Sequence, residues 1–96
     1  MLNLLEIQTL ILALNLELLE KAFYTEGLVE FSETDFAMAN FTPSSLVRQR
    51  YVEILDHETA HVALLSEIFN YLGLKAPQPC QYNLYVFLWN GILGEG

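Results

Sequence analysis

His57-Glu58-Thr59-Ala60-His61 carries two overlapping motifs that could do chemistry. On a helix turning about 100° per residue, Glu58 and His61 lie about 60° apart and His57 and His61 about 40° apart, so either pair could share a cation. A carboxylate and an imidazole suit iron(II) or manganese(II), whereas two imidazoles around a general-base glutamate suit zinc and peptide hydrolysis. The zinc reading needs a third protein ligand. The extended form of that motif asks for Gly at 64 and His at 67, where Leu64 and Glu67 stand. Glu67 lies about 120° from His61 around the helix, which leaves Glu95 as the remaining downstream acid. The chain also lacks room for a substrate-binding sheet, so zinc is the minor alternative.

The surrounding pattern favours the Glu58–His61 pair. Tyr51, Ile54, Glu58, His61, Leu65, Ile68 and Leu72 recur at alternating spacings of four and three, the stripe by which one bundle helix faces another. A carboxylate and an imidazole on such a stripe lose hydration unless something pairs with them. On the first helix Glu17 follows Leu10 and Leu14 and precedes Tyr24 and Leu28 at the same seam spacing. Glu17, Glu58 and His61 are therefore the candidate metal ligands. Tyr24 could hydrogen-bond a ligand carboxylate, Glu20 could act as a spare ligand, and His57, beside Asp56 at the stripe's edge, is a supporting or surface residue. A metal-free core in which Glu58 and His61 bond to one another or to Tyr24 is the plain alternative.

Two long helices must position these groups. Residues 2–29 lack proline, reach their first glycine at Gly27, and are rich in Leu, Ala and Glu, which predicts helix one. Its first two thirds are apolar on nearly every side, a surface that only several neighbours can cover. Residues 30–41 read as a connector with one brief helix capped by Ser32-Glu33-Thr34-Asp35. Thr42-Pro43 predicts a start for helix two, with threonine as N-cap and proline first in the helix, and Gly73 supplies the stop after about residue 72. Each helix would span roughly 40–45 Å at about 1.5 Å per residue, a bundle length. Residues 73–96 form a tail with Tyr82, Tyr85, Phe87 and Trp89 that reads as irregular cover, with no chemical role assigned.

Composition sets outer bounds. Ninety-six residues make a single domain, 1–96, with a small core of its own. Hydrophobic residues are 53% and charged residues 17%, so apolar surface needs a partner or cover. A net charge of −8 excludes nucleic acid and anionic lipid as natural partners and suits cations or plain solubility. Cys80 stands alone, so no intrachain disulfide is expected. The leucine-rich start has no basic leader region and carries Glu6 and Glu17, which argues against a signal peptide and a membrane span; the compartment stays open.

The resemblance extends beyond spacing. Residues 14–24, Leu-Asn-Leu-Glu-Leu-Leu-Glu-Lys-Ala-Phe-Tyr, followed by Gly27-Leu28 and Phe31-Ser32-Glu33-Thr34-Asp35-Phe36, resemble the opening of the ferritin-like family of desiccation- and stress-related proteins. Val47-Arg48-Gln49-Arg50-Tyr51, Ile54, His57-Glu58-Thr59-Ala60-His61-Val62 and Pro79-Cys80-Gln81-Tyr82 continue the likeness, which covers roughly residues 10–82. It implies an all-α, ferritin-like antiparallel hairpin, half of a four-helix bundle. Glu17 would be the helix-one ligand, with Glu58 and His61 from helix two. Such bundles hold two metal ions with a Glu from each of two helices and a Glu-x-x-His from each of the other two, and this sequence has one of each. A homodimer or other helical partner would complete a binuclear iron or manganese site, whose chemistry, if any, would be iron oxidation or oxygen-linked redox. The alternative is a truncated, metal-free half-bundle serving structure or interaction. Many relatives are secreted, and a stress role is implied by resemblance alone.

Overall fold

The computed structural model describes residues 2–80, and every regular element among them is helical. Helix α1 runs Leu4–Glu30, α2 Glu33–Met38 and α3 Ser44–Tyr71. Asn3 opens α1: its side-chain oxygen accepts the Glu6 N–H at 2.8 Å, and the Glu6 carboxylate favours the positive end of the helix dipole. Ser32 and Asp35 form the expected capping box of α2, each side chain satisfying the other's backbone N–H.

Helix α3 begins later than Thr42-Pro43 predicts. Pro43 has extended ψ, 132°, and so occupies the cap position, while Ser44 is first in the helix. No side chain caps that end, so Thr42 does not play the N-cap part its sequence position suggests. The stop falls where expected. Gly73 takes φ +69°, the Leu74 N–H donates to Phe69 O at 2.9 Å, and the Gly73 N–H donates to Asn70 O at 3.1 Å. This is the left-handed closure that glycine permits at no steric expense. Helix α2 ends in the same way with Asn40 at φ 70°, the Phe41 N–H reaching Phe36 O at 3.0 Å.

Two hydrophobic clusters hold α1 against α3. From the first half of α1 to just past its midpoint, and toward the end of α3, Leu14, Leu18 and Phe69 are buried, with Leu10, Val62, Leu65, Leu74 and Ala76 around them. Near the other end, Phe31 and Phe36 are buried among Phe23, Tyr24, Phe41, Val47 and Tyr51. The start of one helix thus meets the end of the other, an antiparallel hairpin closed by α2. Phe36 is fully enclosed, its ring 5.4 Å from Tyr51 and 5.8 Å from Phe41, and Tyr51 in turn lies 5.8 Å from Tyr24. Burial of a phenylalanine of this kind stabilises by about 1.5–3 kcal/mol.

Arg48 fastens the loop end. Its Nη2 donates to Leu28 O at 2.8 Å and its Nε to Phe31 O at 3.3 Å. The last turn of α1 contains no basic residue, so α3 supplies both the donors for those terminal carbonyls and the charge that the negative end of the helix dipole favours.

Apolar cover is incomplete, as the all-round apolarity of helix one requires. Leu4, Leu5, Ile11, Leu12 and Leu16 on α1 and Leu64 on α3 remain exposed. Leu72, counted as part of the seam, is also exposed. The tail aromatics Tyr82, Tyr85, Phe87 and Trp89 lie outside the described residues. No described helix is long and apolar enough to cross a membrane.

Candidate metal centre

Between the aliphatic and aromatic clusters the seam turns polar. Glu17 comes one turn after Leu14 on α1, while Glu58 and His61 occupy the stretch of α3 between Tyr51 and Leu65. The hairpin brings all three together: one ligand-capable atom from each lies within 4.8 Å of the others. His61 Nδ1 is 3.5 Å from Glu17 Oε2. Glu17 is 24% exposed at its side chain and His61 55%, so the group sits at the rim of the seam, open on one side.

Glu17 Oε2 and Glu58 Oε2 are shielded from solvent and have no hydrogen-bond partner. Two ionised carboxylates can only accept, so their approach leaves both oxygens unsatisfied and mutually repelled. A proton shared between them is one remedy. The Glu58 carboxyl is accordingly pushed up to about 8, first by the hydrogen bond to Glu17 that a proton on it makes, then by burial, then by Glu20. A divalent cation is the other remedy, because it offsets both charges and accepts the imidazole nitrogen as well. Shielded orphan oxygens and an adjacent imidazole form a donor set that could hold a divalent metal ion.

Supporting residues separate into three cases. Tyr24 lines a cleft of about 320 Å³ with Leu19, Glu20, Phe23, Ile54 and Glu58, and burial raises its phenol above the ordinary value, with Tyr51, Glu20 and Glu58 adding to the effect. Glu20 is exposed but close enough to Glu58 to raise it, a nearer approach than its neighbours Lys21 and Glu26 suggest. Its 60° offset from Glu17 is the signal that pointed to it. His57 is exposed and stands outside the cluster. No third acid, imidazole or thiolate joins a His57–His61 pair among the described residues, so the arrangement a zinc peptidase needs is not assembled there. Glu95 lies outside the described residues. Arg48's grip on the end of α1 was not foreseen; the missing positive charge in that helix's last turn was its one trace in the sequence.

An antiparallel helical hairpin with a carboxylate–imidazole cluster at its seam defines a bundle-type protein with a candidate cation site. The particular lineage follows from comparison: the ferritin-like domain matches residues 5–90, and the chain belongs to that family. Neither the curated proteins nor the solved structures contain a match.

Proposed function

We propose that this ferritin-like domain binds divalent iron or manganese through Glu17, Glu58 and His61. The observation that carries the reading is their convergence from two helices, with two shielded carboxylate oxygens left without a hydrogen-bond partner. Glu17 and Glu58 would hold the ion and supply the negative charge. His61 would supply the neutral donor that favours transition metals over calcium or magnesium. Tyr24 and Glu20 would line the approach to Glu58, and His57 would stay outside.

One chain offers half of the donors a binuclear site takes, the remainder coming from helices that cover its open side. Two bound ions would supply oxygen-linked redox chemistry such as iron oxidation, while the chain's own residues would hold and position the ions. Holding such ions fits the stress-related role that the sequence resemblance implies.

The test is elemental analysis of the purified chain after stripping with chelator and reloading with manganese(II) or iron(II). Near-stoichiometric metal that is lost in Glu58→Gln and in His61→Ala supports the reading. Metal-free wild-type protein after reloading defeats it, and leaves Glu17 and Glu58 as a proton-sharing structural pair. Stoichiometric zinc with peptide cleavage abolished by Glu58→Gln would establish the peptidase instead.

A further inference from the structure

Glu17 sits at the midpoint of α1, and Glu58 at the midpoint of α3. A two-fold axis through the cluster and perpendicular to the helices would therefore lay each helix along its full length against a second copy, with no overhang at either end. An off-centre site could not do this. The face around the cluster carries Ile54, Leu64 and Ile68 on α3, all within about two turns of His61 and on its side of the helix, with Leu64 61% exposed. On α1 the stripe through Glu20 continues to Leu16, which is 49% exposed. Residues 74–79 pack elsewhere: Leu74 and Ala76 join the Leu14–Leu18–Phe69 cluster, and Pro79 lines a cleft with Leu18, Ala22 and Thr25. Among the described residues the Glu17–His61 rim stays open, with His61 exposed.

From this we infer that a second copy of the chain seats on that face about a two-fold axis through the metal cluster, and that the metal ions hold the two copies together. The inference rests on the proposed metal site. Two helices side by side, each about 40 Å long and about 10 Å across, offer on the order of 800 Å² per copy, the size of a standard protein interface. Doubling one Glu and one Glu-x-x-His yields the full inventory of four glutamates and two histidines around one axis. Charge adds the link to metal. Two chains of net charge −8 bring four clustered carboxylates face to face, and two divalent ions offset that local excess. Without ions only shared protons offset those acids, and a second copy gains nothing from bringing them together.

Analytical ultracentrifugation of the full chain, loaded with manganese(II) and again in chelator, tests this. Loaded protein should sediment at twice the 11.0 kDa chain mass with two manganese ions per pair, and should shift to 11.0 kDa in chelator. Leu64→Glu, at an exposed position, should stay at 11.0 kDa in manganese with its helical circular dichroism unchanged. A single chain holding manganese at 11.0 kDa overturns the second copy while leaving the ion site standing. A pair that binds no manganese overturns the metal reading, and the ion-linked association with it. A Leu64→Glu protein that still pairs overturns the face assigned.

Discussion

Replacing Glu58 by glutamine separates the two ways in which its carboxylate can be satisfied. In the metal-free protein Glu58 takes a proton up to about pH 8, held first by its hydrogen bond with Glu17. Its folded-state value thus lies above the unfolded one, near 4.5. The contribution is complete below pH 4.5 and is lost as pH rises toward 8, because the folded chain there retains a proton that the unfolded chain has released. Metal-free wild type should therefore melt at progressively lower temperature between pH 5 and pH 8. Glutamine mimics the protonated acid, so Glu58→Gln should flatten this decline and melt no lower than wild type at pH 8. With metal the ranking reverses. An ion must displace the shared proton, so its benefit grows with pH; at a hundredfold excess over Kd it is worth about 2.7 kcal/mol. For a domain of this size that is a rise in Tm of roughly 10–20 °C. Circular-dichroism melts from pH 5 to 8.5, with manganese(II) or with chelator, measure all four conditions. Either of two results would refute the reasoning: a metal-free wild type whose Tm climbs from pH 5 to pH 8, or a Glu58→Gln protein that keeps the full manganese-induced rise.

Three further substitutions address the site and its frame. His57→Ala should leave manganese binding within about twofold of wild type by equilibrium dialysis, since His57 stands outside the cluster, and a tenfold loss would restore it as a ligand. Phe36→Ala empties the enclosed aromatic cluster and should lower unfolding free energy by about 3–5 kcal/mol in urea melts, enough to unfold much of so small a domain; a loss under about 1 kcal/mol would show that Phe36 is not a core residue. Gly73→Ala meets open space but keeps φ +69°, so it should cost roughly 1–2 kcal/mol through the backbone alone, and a neutral result in the same melts would show that the left-handed turn is dispensable.

The two long helices were legible because leucine-rich periodicity and glycine punctuation are local signals. Ser32–Asp35 and Gly73 likewise announced their caps through residues a few positions apart. The meeting of Glu17 with Glu58 and His61 was legible for a different reason: a polar residue on an apolar stripe must face whatever the stripe faces. Other features depend on distance in space rather than along the chain. Nothing local told whether Pro43 would enter the helix or precede it, since its φ of about −65° suits either, and ψ, set by the approach of the connector, decided. Glu20's nearness to Glu58 depends on how α1 rotates against α3, and its charged neighbours masked it. Arg48 bonds across 17 and 20 residues, beyond the reach of any periodicity.

That last connection bears on how the hairpin moves. The two legs are riveted where Arg48 crosses from one to the other, and from their middle toward the far end the described residues are clasped by side-chain packing, chiefly Leu14 and Phe69. A pair of tongs built this way opens from its tips. Amide protons near Ile7 and Leu72 should be the first to exchange, those near Leu28 and Val47 the last, and the jaws at Glu17 and His61 lie midway between rivet and tips. Whatever grips those jaws shortens the free length of the tongs by half.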